Sequence, residues 1–363
     1  MNIFKRIFCL LVVLTMVASL TACGDSKSTK SGDANKQGGN ESAGNNSSSG
    51  EKHDPITIKI TTTQNPGQQM GIGAKLLKEN IETALGDWAN VQVYDSAQLY
   101  SGTEEIEACT AGDIQVYFGT GGAQEAINES LMVIKLPYLF KNSEIAYKVL
   151  EDTDSGKALQ SDFTAAGLTV LGIFNAGEAM IANDKHPIKA PGDCKGLKMR
   201  APGTMDTYTL TALGAVAVTT PAEETYSAVQ QGVIEGMTTP TSVFLKRNFN
   251  EVQKYVTNPG TMSFSVGYII CNSKWLEGLP EEFREKFNEA VKATNDKIRA
   301  DIEAETATVY KQCEEAGCEV YTLSDAEIEE WKNATAGVYD TIAQSVGQDF
   351  MDQLLKDVEE CSK

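Results

Sequence analysis

Hydrophobic patterning divides the chain into three regimes. Lys5 and Arg6 precede an apolar run from Ile7 to Val17, followed by Leu20-Thr21-Ala22-Cys23. From Gly24 to Lys52 the chain is rich in Gly, Ser, Asn and Lys and almost free of apolar side chains. Such a stretch cannot bury a core and is expected to stay disordered. From Ile56 onward, strand and helix periods alternate. Ile56, Ile58 and Ile60 interleave with Thr57, Lys59 and Thr61, a strand pattern. Gly73 to Leu85 reads as an amphipathic helix and Val91 to Tyr94 as a strand. Glu104 to Ala111 reads as a helix closed by Gly112, and Ile114 to Phe118 as a third strand. Asn142 to Leu159 is expected to be helical, Thr169 to Phe174 a buried strand, and Asn175-Ala176-Gly177 a hinge.

The pattern then repeats. Leu197 to Met199 is a short apolar run that delivers Arg200, and Pro202 and Gly203 favour an extended exit and a tight turn. Thr204 is expected to cap a helix that stops at Gly214. Ala215 to Thr219 reads as a strand, Glu223 to Gln231 as a helix, and Thr238-Thr239-Pro240 as the end of another strand. Ser265 to Cys271 is strand-like. Pro280 suits a helix start and opens a helical pattern reaching about Ala316. Asp325 to Trp331 and Gln348 to Val358 are further helices. The alternation predicts an α/β fold with a mainly parallel sheet. It leaves polar groups at strand ends, where ligands of open α/β sheets bind.

The first regime reads as a secretory leader, residues 1–22, ending at a lipoprotein box with Cys23 as the acylated first mature residue. A membrane span needs roughly 20 apolar residues, more than this run supplies. Residues 23–54 then form a tether; a coil of about 30 residues spans about 30 Å on average.

Composition narrows the chemistry. The formal charge of -19 over 363 residues argues against nucleic acid as a partner. It also means that an anionic ligand must be held by a local positive group. With His53 and His186 the only histidines, no Ser-His-Asp or Cys-His machine is visible, and no P-loop or dinucleotide fingerprint occurs. No cysteine pair has zinc spacing, so no metal and no cofactor is expected. Cys313 and Cys318 are close enough in sequence to pair, although the expectation is that most thiols are reduced. Gly119-Thr120-Gly121-Gly122 can offer backbone N–H groups to an anion or simply be a strand-to-helix turn. The carboxylate pairs Glu104-Glu105, Glu223-Glu224 and Glu281-Glu282 stand at helix starts, where the macrodipole favours them, and read as structural.

Several pieces together resemble a known family. Gly196-Leu197-Lys198-Met199-Arg200-Ala201-Pro202, Leu213-Gly214-Ala215, Glu224-Thr225-Tyr226 and Gln230-Gln231-Gly232-Val233-Ile234-Glu235-Gly236 occur in order and at the spacing of TRAP (tripartite ATP-independent periplasmic) solute-binding proteins. The resemblance extends more weakly from about Ile56 to the C-terminus. It implies a periplasmic-binding-protein-like fold: two α/β domains, a ligand cleft between them, and a long helix spanning both. The corresponding division is 55–177 plus 265–304 for domain I and 178–264 plus 305–363 for domain II. It further implies a non-enzymatic extracytoplasmic receptor, here lipid-anchored, that captures a small organic acid and delivers it to an ion-gradient-driven permease.

In that resemblance Arg200 binds the ligand carboxylate, a role suited to a guanidinium with two parallel donors. Family-matched loops add Thr63 and Gln64, then Phe118, Gly119 and Thr120, then Thr239, Thr261 and Phe264. Phe118 and Phe264 read equally well as core, and Tyr226 as packing. Many acid-binding relatives carry a second arginine about twenty residues before Arg200; the alignment places Met180 there, with Glu178 nearby. That departure argues against a simple dicarboxylate, and Met180 also reads as a gap-filling core residue. The alternatives are a receptor for an ABC importer or sensor kinase, and an enzyme on the same scaffold.

Overall fold

The period-2 run that opens the folded chain becomes the inner strand of a sheet. β1 (Ile56–Thr62) lies between β2 (Ala89–Tyr94) and β3 (Val116–Thr120) and is parallel to both. These strands belong to a computed structural model whose described residues are 53–120, 124–221 and 224–363. The leader, Cys23 and the tether as far as Lys52 lie outside the described residues. His53, the first of them, stacks its ring on Trp88 at 3.9 Å.

β4 (Leu168–Asn183) joins two sheets. Its first part pairs antiparallel with β9 (Phe264–Asn272), which pairs with β3, giving the order β2-β1-β3-β9-β4. Its last residues pair with β7 (Gly236–Pro240) on one side and β8 (Tyr255–Asn258) on the other. β7 leads to β5 (Lys198–Ala201) and β6 (Val216–Thr219), and β8 leads to β10 (Glu319–Thr322). The expected hinge at Asn175 to Gly177 is therefore a bulge inside a continuous strand. Gly177 has φ 127°, which an L side chain rarely adopts, and that explains a glycine there.

The longer helices are α1 (Gln69–Leu85), α2 (Gly102–Ala111), α3 (Ser143–Asp152), α4 (Asp154–Ala165), α5 (Thr204–Ala212), α6 (Thr225–Gln230), α7 (Glu281–Glu315), α8 (Asp325–Thr335), α9 (Gly337–Val346) and α10 (Gln348–Cys361). The single helix expected over 142–159 is two. Thr153 leaves helical geometry at ψ 171°, and its Oγ1 accepts from Gly156 N at 3.2 Å to start α4. Thr204 does not cap α5 but is its first residue, after Gly203.

α7 is the long helix predicted from Pro280 onward, and it serves both halves. Phe283, Phe287, Val291, Ile298 and Ile302 pack with Ile58, Ile60, Phe118 and Phe174 of the first sheet. Val309 and Cys313 pack with Met180, Ala182 and Met237 of the second. α10, expected with the second domain, instead sets Met351 and Leu354 among Val149, Leu150, Leu159 and Phe163 of α3 and α4. The reason is its amphipathic stripe, which matches the groove of that helix pair, and Asp357 Oδ2 also accepts from Ser155 N at 3.0 Å. Cys109, Cys194, Cys271, Cys313, Cys318 and Cys361 are free thiols; Cys313 and Cys318 are linked by a backbone hydrogen bond, not a disulfide.

Candidate functional site

Alternation along β5 decides where Arg200 points. Met199 and Ala201 are fully buried on the face covered by α5 and α8. Arg200 therefore faces the other side, the side of α6 and α7, in register with Met237. It is only 8% exposed, and its Nε donates to Thr220 O at 3.2 Å just past the end of β6. That bond fixes the plane of the guanidinium at the C-terminal ends of β5 and β7. Thr239, 2% exposed, lies on the same face.

The strand ends of the first sheet also carry polar groups. Thr63 follows β1 and is exposed; with Asn65, Gln68 and Ser96 it forms one wall of a cleft of about 780 Å³. Tyr226, Arg247 and Phe249 of the second half form the facing wall. Gln64 stands beside Thr63 and plays a structural part, as its Oε1 accepts from Met70 N at 2.9 Å at the start of α1. Gly119 leaves room for the Gln124 amide and the Tyr117 ring, which would have to shift to admit a Cβ there. Thr120 ends β3 half-buried, and Thr261 is half-buried in the turn before β9.

Three of the expected contacts, Met180, Phe118 and Phe264, sit in apolar packing. Met180 is fully buried in the apolar cluster with Val309 and Phe244, so its side chain is core. Phe118 packs on Phe174 with ring centroids 6.5 Å apart, and Phe264 packs on Phe140 at 6.0 Å; each is at most 2% exposed. The same strand pattern that buries Met180 brings up Glu178, two residues earlier, on the Arg200 face. Its carboxyl is half-buried and lifted above the usual range by desolvation.

Sequence reasoning missed a second polar group on the opposite face. Lys135 forms a buried ion pair with Asp206 of α5, their side chains 14% and 7% exposed. The pair lines a recess of about 40 Å³ with Gly177, Ala179, Pro202, Thr238 and Ser265. Glu125 stands beside the pair and is raised by burial, which the Lys135 charge partly offsets. A lone lysine closing the apolar run Leu131 to Ile134 was the available signal. Tyr226 packs against the Met180 cluster, as expected, and also lines the cleft, its hydroxyl donating to Glu251 Oε2 at 2.7 Å. Among the described residues, no group of acidic, His and Cys side chains is arranged to hold a metal ion.

Comparison with known proteins agrees with this architecture. The chain is 32% identical over 305 residues to the C4-dicarboxylate-binding periplasmic protein DctP of Rhodobacter capsulatus, covering 81% of this chain and 88% of that one. Its fold matches the sugar acid binding protein of Advenella mimigardefordensis in complex with galactonate, with a TM-score of 0.78 at 21% identity over 85% of this chain and 100% of the other. It also matches a TRAP periplasmic solute-binding protein of Anaerococcus prevotii with bound D-glucuronate, with a TM-score of 0.74 at 25% identity over 84% and 98% of the two chains. The model of the bacterial extracellular solute-binding protein family 7, DctP, matches residues 60–345. The chain belongs to that family, the solute receptors of TRAP transporters.

Proposed function

We propose that this receptor takes a small organic acid into the cleft between its two sheets, with the ligand carboxylate on Arg200. The supporting observation is the placement of Arg200: buried, fixed by Thr220 O, and aimed past the strand ends. A guanidinium held in that way keeps its charge and offers fork geometry to a carboxylate at little cost in side-chain entropy. Thr63, Thr120, Thr239 and Thr261 supply hydrogen bonds around the bound acid, Gln64 and Gly119 shape the strand ends, and no covalent chemistry takes place. The relatives support the ligand class by what they hold, galactonate in one and D-glucuronate in another.

Closure of domain 55–177 plus 265–304 over domain 178–264 plus 305–363 then presents the ligand to the permease. A ligand touched by both halves favours the closed arrangement by its extra affinity for it. The Cys23 lipid anchor and the Gly/Ser/Asn tether keep the receptor near the membrane outside the cytoplasm.

Calorimetric titration of the protein with organic acids tests the reading. Arg200→Ala should lower affinity for any bound acid by about 2–5 kcal/mol, the range for truncating one partner of a buried charge pair. The variant's melting temperature without ligand should stay close to that of the parent protein. An acid that binds the parent and Arg200→Ala equally would refute the assignment.

A further inference from the structure

Alternation along β4 sorts its last residues between two sides. Ala179 and Ile181 enter the cluster under α5 and α8, whereas Met180 and Ala182 enter the one under α7. Glu178 shares the side of Met180, and its charge is felt by Tyr310 of α7. That side is also the side of Arg200 and Thr239. Arg200 is level with Ala182 through Met237, two strands away. Glu178 lies four residues further along, so the two backbones are separated by about 10 Å across the strands and about 13 Å along them.

The Glu178 side chain makes no hydrogen bond and no ion pair among the described residues, although the residue is half-buried. Beside it, the Tyr310 hydroxyl is buried and has no hydrogen-bond partner. Burial first, and the Glu178 charge second, hold that phenol above its ordinary range. A buried hydroxyl without a partner is costly unless a ligand completes it, and the half-buried Glu178 carboxylate beside it is open to the same ligand.

We propose that Glu178 and Tyr310 form the second polar anchor of the cleft and select an acid whose far end is a hydrogen-bond donor, hydroxyl or ammonium, over one ending in a second carboxylate. The inference rests on the carboxylate reading of Arg200. An anionic far end would face Glu178 as a like charge, which disfavours binding. A donor would give the carboxylate the charge-assisted bond it lacks. Glu178 is thus a specificity-determining residue, and the cleft is built for hydroxy or amino acids.

The test is titration calorimetry with D-gluconate, 5-aminopentanoate, succinate and glutarate on the parent protein, Glu178→Gln, Tyr310→Phe and Arg200→Ala. The parent should bind gluconate or aminopentanoate roughly a hundredfold more tightly than either dicarboxylate. In Glu178→Gln that preference should shrink at least about tenfold. A loss confined to aminopentanoate identifies an ammonium as the natural donor, because a neutral amide still accepts from a hydroxyl. Tyr310→Phe should weaken the preferred acid without lowering the melting temperature. Dicarboxylates bound as tightly as the others by the parent, or a preference unchanged in Glu178→Gln, would overturn the proposal. Arg200→Ala keeps the two readings apart. Binding retained there with selectivity altered in Glu178→Gln refutes the Arg200 assignment alone, and the reverse pattern refutes the Glu178 assignment alone.

Discussion

Glu105 offers a quantitative test of the first sheet's interior. It sits in the first turn of α2, where the macrodipole would welcome a carboxylate, yet it is 2% exposed and packed near Tyr117 and Cys109. Burial lifts its pKa from 4.5 to about 7, offset only in part by the Thr61 hydroxyl, and its Oε1 has no hydrogen-bond partner. The folded state therefore binds a proton more tightly than the unfolded state. The contribution is fully present below pH 4.5 and is lost as pH rises through about 7. At 1.36 kcal/mol per pKa unit, the difference amounts to about 3 kcal/mol. Glu105→Gln removes the titrating group and keeps the shape, so its stability should vary less between pH 5 and pH 9. Urea unfolding across that range measures it: the parent should lose about 3 kcal/mol relative to the variant. Parallel stability curves for the two proteins would show that Glu105 does not titrate abnormally.

Two further outcomes concern the second half. Lys135→Met strands Asp206 beside Glu125 without their cation and should cost about 3–5 kcal/mol in urea unfolding, whereas the double variant Lys135→Met/Asp206→Leu should recover most of that loss; a single-variant cost below about 1 kcal/mol, the surface-pair level, would refute the buried-pair reading. Met180→Ala should cost about 2–5 kcal/mol of stability as a cavity mutation, with ligand selectivity unchanged in calorimetry; altered selectivity at full stability would return Met180 to the cleft.

The parts legible in the sequence were those with local causes. Period-2 isoleucines marked β1, and an apolar stripe behind Pro280 marked α7 almost to its last residue. Arg200 was legible because an apolar run and a Pro-Gly exit bracket it. What escaped has non-local causes. β8 and β10 are four-residue strands that pair across the chain, Tyr255 with Glu319, and neither has room for a period of its own. α9 begins at a glycine, which hides its start. Glu105 looked like an ordinary helix-start carboxylate because only the packing of α2 on β3 and β9 removes it from water. Met180 and Glu178 share one side of β4, and what separates them is packing: Met180 is enclosed with Phe244 and Val309, whereas Glu178 stays half-buried.

The continuity of β4 constrains how such a receptor can close. A loop hinge would let the halves move at little cost, but here the bulge is held by Asn175 Oδ1 accepting from Gly177 N at 3.0 Å and by Ser242 Oγ donating to Ala176 O. α7 adds a second connection, its Phe283 to Ile302 stretch packed in one half and Val309 to Cys313 in the other. Relative movement must bend both elements together, because each is anchored in two cores. Glu178 is the first residue beyond the bulge, and Tyr310 lies on α7 at the start of its second anchored stretch. A ligand bound to that pair would sit on the two elements that bend, and one that also grips Arg200 would tie them to the second sheet. Recognition of the ligand's far end and closure of the cleft are then one event. A ligand lacking the far donor would still occupy Arg200 but would lose the contact that sets the bend.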